Sequence, residues 1–291
     1  MHVDKRKIDY LCGITWFLLS ITIGVANDTL MKFLGAEYSL AQIVCFRYGF
    51  ATLFLALLGV SGKNIGSMFM RMPRLHIIRA IFLLVAMSLY CHGLHKLPIA
   101  TVMSLNFVIP LFTLIFARIF LKEKIRLDSI IATIVGFGGV YYIFEPKNEE
   151  FATLAAMLLL LSSMLFAALD IINKKFVTNE GVFQMVFYTA TMTFIFALPF
   201  ALFRWIVPSL RDIVLFAMLG GGANLLLYCI LRAFERVNVS TVAPFRYLEL
   251  ILATGIGFFL FNEVPSKNTI WGSLVIITST TYIVYAGVRN K

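Results

Sequence analysis

Long apolar segments recur along the whole chain of 291 residues. An α-helix needs about 20 apolar residues to cross a bilayer, and windows bounded by charges, Pro and Gly give ten candidate spans. We predict them at residues 10–31, 39–60, 75–94, 98–121, 128–144, 151–172, 182–205, 211–233, 239–261 and 268–287. These segments are too long and too unbroken for barrel strands, which alternate over about ten residues. The sequence therefore predicts an all-α integral membrane protein with ten transmembrane helices.

The composition agrees with a chain embedded in a lipid bilayer. Apolar residues make up 60% of it and charged residues 14%, whereas soluble domains are about 45–50% apolar and about 25% charged. The net charge of +10 comes from short basic clusters between the apolar segments. A nucleic-acid-binding protein would need a basic face on a soluble module, so we expect no nucleic-acid partner.

The distribution of basic residues predicts the orientation of the chain. Most of the 25 Lys and Arg residues fall in the loops on one side of the predicted membrane, and three lie inside spans, at Arg47, Arg118 and Arg246. Lys and Arg accumulate on the cytoplasmic side. An even number of spans places both termini on the same side, so we expect both to be cytoplasmic.

The two halves of the chain repeat one another. Residue pairs recur at a spacing of about 140 residues, namely Thr101 and Thr241, Glu123 and Glu263, Tyr142 and Tyr282, Asp28 and Asp170, Lys32 and Lys174, and Gln42 and Gln184. We therefore divide the chain into a first five-helix repeat over 1–146 and a second over 147–291. An odd number of spans in each half forces the second copy to insert upside down. Inverted repeats are typical of secondary transporters, with the substrate near the midplane.

Charged residues inside a span are costly and usually functional or paired. In the ninth span, Arg246 and Glu249 are three residues apart and share a helical face. One interpretation is an ion pair within the helix that only orients it. The functional interpretation is that Arg246 offers a bidentate donor to a substrate carboxylate, while Glu249 meets a substrate cation or a proton. Pro244 favours the second because it bends the helix and frees backbone carbonyls.

Two further spans carry polar stripes at helical spacing. The sixth span presents Phe166, Asp170 and Asn173, and the first presents Trp16 and Asn27, with Asp28 beside them. Asp28 and Asp170 are repeat mates, so each is a candidate for coupling transport to a second ion, together with Glu249. The alternative is an interfacial role in which they pair with Lys32 and Lys174.

The other polar residues inside spans carry weaker signals. Tyr90, Asn106 and Tyr228 are candidates to line a cavity, although each has the alternative of hydrogen-bonding a neighbouring helix. We expect Arg47 and Arg118 to extend to the interface or to pair structurally.

The sequence gives little support to an enzyme. It contains no Gly-x-x-x-x-Gly-Lys phosphate loop, no His-Glu-x-x-His zinc site and no Gly-x-Ser-x-Gly nucleophile elbow. We expect no catalytic residue, no metal and no cofactor. A remote alternative is an intramembrane enzyme with Asp28 and Asp170 as paired carboxylates, and another is a sensor or structural membrane protein.

The repeat pattern resembles a known transporter family. Two inverted five-span halves, each with a Glu (Glu123, Glu263) before its last helix, resemble the EamA type of the drug/metabolite transporter superfamily. Three stretches, Ala26-Asn27-Asp28, the nine residues 169–177 and the eight residues 243–250, resemble the S-adenosylmethionine uptake transporters of rickettsia-like intracellular bacteria.

This resemblance implies a bacterial inner-membrane carrier that imports S-adenosylmethionine from a host cytoplasm in exchange for S-adenosylhomocysteine. It gives Arg246 the substrate carboxylate and gives Asp170 or Glu249 a positively charged group. Aromatic rings would stack on adenine or attract the sulfonium by a cation–π interaction, and the candidates are Trp16, Phe166 and Tyr247. The alternative within the same superfamily is an exporter of amino acids or other small metabolites. The resemblance is also compatible with a homodimer.

Overall fold

The computed structural model describes residues 5–61, 72–96, 106, 108–143, 153–249 and the single positions 251, 252, 255, 271, 274, 275, 278 and 281. Nine α-helices in this part of the chain have assigned bounds: α1 (Lys5–Leu34), α2 (Leu40–Ser61), α3 (Pro73–Lys96), α4 (Ile109–Phe120), α5 (Leu127–Ile143), α6 (Thr153–Glu180), α7 (Val182–Leu202), α8 (Leu210–Arg236) and α9 (Val239–Val242). A 3₁₀ segment, Ala243–Tyr247, follows α9 directly. The predicted all-helical class is confirmed over these residues.

Six helices of the described part are long and apolar enough to cross a membrane. Their apolar stretches are Ile8–Met31, Leu40–Leu58, Pro73–Gly93, Met157–Glu180, Val182–Leu202 and Leu210–Arg236. They coincide with predicted spans one, two, three, six, seven and eight. Part of the fourth and ninth predicted spans and most of the tenth lie outside the described residues, so the count of ten stays a prediction.

The sixth predicted span is too short. We place its end at residue 172 from the sequence, but α6 continues to Glu180. The charge of Lys174 ended the apolar window, and the extra turns also contain Asn173 and Glu180. Each of these three residues has a polar partner inside the protein.

The ninth predicted span is not a regular α-helix at its beginning. The single turn of α9 ends at Val242 and gives way to the 3₁₀ segment, with Pro244 at its start. Proline lacks a backbone N–H and its ring clashes with the preceding turn of an α-helix. The tighter segment aims Arg246 differently from a continuous helix.

Helices from the two halves pack against each other. α1 packs along α8, α2 along α7, and α3 along α6, with further contacts of α2 to α8 and α3 to α7. Gly220 allows the closest approach of α8 to α2, because a Cβ there would lie 2.8 Å from both the Arg47 carbonyl oxygen and the Ala51 nitrogen. These contacts bring the polar stripes of several helices toward one another.

Candidate functional site

Asp170 and Arg246 form an ion pair in the interior. Asp170 lies on α6, and Arg246 in the 3₁₀ segment donates through Nη2 to its Oδ2 atom. The Asp170 side chain is 7% exposed and that of Arg246 is 19% exposed. The Arg246 guanidinium carbon also lies 5.7 Å from the centre of the Phe17 ring on α1. The structure thus pairs Arg246 with a carboxylate from another helix.

A second group of polar residues surrounds Asp28 on α1. Tyr90 of α3 donates a hydrogen bond to Asp28, and Arg47 and Glu249 lie within electrostatic range of both residues. Glu249 faces α1 at Gly24, where a Cβ would lie 3.7 Å from its Oε1 atom. Four separate elements therefore contribute to this group.

The two groups join into what we call the central charge cluster: Asp28, Arg47, Asp170, Arg246 and Glu249. Glu249 connects them, because it interacts electrostatically with Arg246 on one side and with Asp28 on the other. With every member ionised, three carboxylates face two guanidinium groups. The cluster then carries one negative charge in excess, enclosed by helices.

Aromatic and amide groups lie next to the Asp28 side of this cluster. The Tyr90 ring meets the Phe166 ring edge-on at 6.2 Å. One turn before Phe166 on α6, the Ser163 hydroxyl donates to the Asn106 amide oxygen at 2.9 Å. The predicted candidates Tyr90, Phe166 and Asn106 are therefore brought to the same pair of helices, α3 and α6.

Other predicted site residues lie among packed side chains. The rings of Trp16 and Tyr228 meet edge-on at 5.7 Å, and the Tyr228 hydroxyl accepts from Arg232 Nε at 3.0 Å. Asn27 packs against Gly222 on α8, where a Cβ would clash with its amide oxygen at 2.3 Å. Tyr247 is fully buried. Trp16, Tyr228 and Asn27 line helix contacts in this structure.

Asn173 belongs to a separate buried network between α3, α6 and α7. Its amide oxygen accepts from Arg79 Nε at 3.0 Å, and Arg79 Nη1 donates to the Met185 carbonyl oxygen at 3.0 Å. His76 Nε2 lies 3.4 Å from Glu180 Oε2, with both side chains fully buried. The network fixes the start of α3 against the end of α6.

The interfacial alternative for Asp170 does not describe this structure. Lys174 Nζ donates to the carbonyl oxygens of Phe234 at 2.5 Å and Val237 at 2.8 Å. A lysine at this position satisfies carbonyls at the C-terminal end of α8. Asp170 therefore pairs with Arg246 and not with Lys174. The side chain of Lys32, the predicted partner of Asp28, lies outside the described residues.

Sequence reasoning missed Arg47 and Phe17. Arg47 is 6% exposed and lies in the central charge cluster. In the sequence, a buried arginine of a charge cluster looks the same as an arginine that extends to the membrane interface, because both lie inside an apolar segment. Phe17 is one of many apolar residues in its span, so the sequence did not single it out. Only its contact with Arg246 in the structure makes it a candidate site residue.

Glu123 holds the segment that leads to Arg246. Its carboxylate accepts hydrogen bonds from the backbone nitrogens of Val239 and Ser240, each at 3.3 Å, and from the Ser240 hydroxyl at 2.6 Å. Glu123, one of the residues that mark the sequence repeat, lies in the first half of the chain. It therefore caps α9, which lies in the second half.

We expect Glu123→Ala to destabilise the protein by about 1–3 kcal/mol for each buried donor left without an acceptor. The melting temperature of the purified protein in detergent measures the effect. Lys124→Ala, which truncates the exposed neighbouring side chain, is the matched control and should melt like the unmodified protein. Equal melting temperatures for the two variants would show that Glu123 does not hold α9.

The described residues contain no group of three or more His, Cys, Asp or Glu side chains arranged to bind a metal ion. The polar centre of this part of the chain is the central charge cluster and its aromatic neighbours. Such an arrangement offers charged organic groups ion-pairing and ring contacts.

Comparison with known proteins decides the family. The sequence matches the EamA-like transporter family over residues 11–145 and again over 153–285. The chain belongs to this family. Two matches, one in each half, show that this EamA protein consists of two repeats.

Relatives of known name agree with the family. The chain is 38% identical over 278 residues to the S-adenosylmethionine uptake transporter of Rickettsia bellii, covering 95% of this chain and 94% of the relative. It is 26% identical over 284 residues to the pseudopaline exporter of Pseudomonas aeruginosa, with 96% of both chains covered. A crystal structure with 14% identity superposes with a TM-score of 0.78 over 97% of this chain and 98% of the other, which shows the same fold.

The family, the relatives and the apolar helices together establish a multi-pass membrane transporter. They indicate transport of a small molecule instead of an enzymatic reaction. The geometry agrees, because Asp28 and Asp170, the carboxylates of the enzyme alternative, have different partners, Tyr90 and Arg246.

Proposed function

We propose that this EamA transporter takes up S-adenosylmethionine across the bacterial inner membrane, in exchange for S-adenosylhomocysteine. The observation that carries the proposal is the 38% identity, over nearly the full length, to a transporter named for S-adenosylmethionine uptake. The exporter relative is more distant, with 26% identity over a similar length. Uptake is therefore the direction that we propose.

The charge of the substrate supports the proposal. S-adenosylmethionine carries a carboxylate, an ammonium and a sulfonium near neutral pH, which gives a net positive charge. With every member ionised, the central charge cluster has the opposite excess. Charges inside a membrane protein are stable when they are paired, so a substrate of this kind completes the charge balance of the cluster.

The aromatic residues support the same class of substrate. Phe166 and Tyr90 lie beside the cluster on α6 and α3, and Phe17 lies under Arg246. Rings of this kind stack on a purine and attract a sulfonium through a cation–π interaction. We propose that Phe166 contacts one of these two parts of the substrate. The assignment of Trp16 and Tyr247 to the same task stays a prediction.

We propose alternating access between two inverted repeats as the mechanism. Helix pairs from the two halves support it. If α1, α2 and α3 correspond to α6, α7 and α8, then the α1–α8 contact corresponds to the α6–α3 contact, and the α2–α7 contact to itself. This is the pattern that a two-fold relation between the halves produces, and inverted repeats are one such relation.

Two polar closures support a gating role at the helix ends. At the end of α1, the Tyr38 hydroxyl donates to Asp212 Oδ2 at 2.7 Å. The Gln42 side chain and the Ile206 backbone exchange hydrogen bonds of 2.5 and 3.1 Å. We propose that these contacts close the outer side, in line with cytoplasmic termini.

The second closure lies at the start of α3 and the end of α6. Consecutive membrane-spanning helices alternate in direction, so this is the other end of the bundle. The contact of His76 with Glu180 and the bonds of Arg79 join the two halves there. Alternating access then requires the two closures to open one at a time.

Uptake of labelled S-adenosylmethionine by bacterial cells that express the protein tests the proposal. We expect time-dependent accumulation that excess unlabelled S-adenosylmethionine or S-adenosylhomocysteine suppresses and that excess free amino acids leave unchanged. Cells carrying the empty vector are the control. Accumulation no greater than in these cells, or accumulation unaffected by excess unlabelled substrate, would contradict the proposed function.

A further inference from the structure

Arg47 is a buried cation with unused hydrogen-bonding capacity. It is 6% exposed, and its Nη1 atom donates to the sulphur of Met31 at 2.8 Å. Its Nε atom is buried and has no hydrogen-bond partner among the residues that the structure describes. A thioether is a weak acceptor, whereas a buried guanidinium normally contacts an anion.

The two arginines of the central charge cluster differ in this respect. Arg246 is in direct contact with the Asp170 carboxylate. In the described part of the chain Arg47 forms no such ion pair, although Asp28 lies within electrostatic range and accepts its hydrogen bond from Tyr90. Arg246 also has a buried Nε without a described partner, but its charge is already balanced. Arg47 is therefore the cation with the greater capacity for an added anion.

The surroundings of Arg47 hold it in place. Its guanidinium carbon lies 5.6 Å from the centre of the Tyr48 ring. Its backbone carbonyl is in close contact with α8 at Gly220, where no Cβ would fit. Met31 of α1 fixes one nitrogen. A group fixed in this way loses little conformational freedom when it binds a ligand.

We propose that Arg47 forms a carboxylate-binding subsite of the candidate site. The inference rests on the proposed function, because it assigns the carboxylate of S-adenosylmethionine to Arg47. The ammonium and sulfonium then face the carboxylates of Asp28 and Glu249. Arg246 keeps Asp170 as its partner and maintains the charge balance of the cluster. This assigns to α2 a binding role that the sequence pattern placed in the ninth span.

Equilibrium binding to the purified protein in detergent tests this subsite. Calorimetric titration compares S-adenosylmethionine with the analogue in which hydrogen replaces the carboxylate. We expect the unmodified protein to prefer the carboxylate-bearing compound by about tenfold or more, since a charge-assisted hydrogen bond contributes at least this factor. Arg47→Met should bind both compounds equally. Its affinity for each should match the affinity of the unmodified protein for the analogue without the carboxylate. Arg47→Lys should keep part of the preference.

Arg118→Met is the matched control, because it removes an exposed arginine from another apolar helix, α4. It should keep the full preference. If Arg47→Met keeps the full preference, or binds neither compound although folded, the subsite is wrong. If Arg47→Met does not fold, Arg47→Lys decides, and an unchanged preference in that variant overturns the subsite. Failure of the unmodified protein to bind either compound would instead contradict the proposed function.

Discussion

Arg246→Ala is expected to abolish uptake of S-adenosylmethionine, with a loss of at least about 100-fold, while the protein still inserts in the membrane. The substitution leaves the Asp170 carboxylate, 7% exposed, without its counter-charge. Breaking a buried ion pair in this way costs about 3–5 kcal/mol. It also removes the cation that lies over Phe17 and near Glu249. Initial uptake rates, normalised to the amount of protein in the membrane, measure the effect.

The double variant Asp170→Ala/Arg246→Ala separates stability from function. Removing both partners leaves neither Asp170 nor Arg246 as an isolated charge, so we expect the melting temperature to recover most of what Arg246→Ala loses. Uptake should stay lost, because the cluster has lost a carboxylate and a guanidinium next to the proposed substrate. Unchanged uptake by Arg246→Ala would remove this residue from the site. Restored uptake in the double variant would show that the pair is only structural.

Arg79→Met is expected to destabilise the protein strongly. Arg79 is 1% exposed and donates to the Asn173 amide oxygen and the Met185 carbonyl oxygen. Both acceptors lose their partner in the variant, at about 1–3 kcal/mol each. We expect a melting temperature lower by several degrees. Competition by unlabelled S-adenosylmethionine, and the lack of competition by free amino acids, should stay the same, because the network lies outside the central charge cluster.

Arg118→Met again serves as the control. Its side chain is exposed and donates only a long bond of 3.4 Å to the Glu123 carbonyl oxygen among the described contacts. We expect its melting temperature and its uptake to match those of the unmodified protein. Competition by free amino acids for Arg79→Met, with the melting temperature unchanged, would place Arg79 in the substrate site and contradict its structural assignment.

The sequence predicts where membrane helices lie more reliably than where they end. Six predicted spans coincide with long apolar helices because each contains about 20 residues with few charges. The end of α6 was misplaced because Lys174 and Glu180 read as loop residues. In the fold, Lys174 contacts carbonyls at the end of α8 and Glu180 contacts His76. Partners on distant helices are invisible to a window of consecutive residues.

The candidate site was predicted in part for a similar reason. Asp170, Arg246, Glu249 and Asp28 stood out because charge is rare in this chain, and the structure joins them in one cluster. The pairing of Asp170 with Arg246 could not be read from spacing, since the two residues are 76 positions apart. Helical spacing also grouped Asn173 with Asp170, but in the structure Asn173 accepts a hydrogen bond from Arg79 instead.

The central claim is that the cluster binds S-adenosylmethionine and carries it across the membrane. Counterflow in liposomes that contain the purified protein tests this claim most directly. Liposomes loaded with unlabelled S-adenosylmethionine should accumulate the labelled compound from a dilute external solution, and those loaded with S-adenosylhomocysteine should do the same. Liposomes loaded with buffer, or containing Arg246→Ala, should not. Counterflow driven by amino acids, with none driven by either adenosyl compound, would contradict the account.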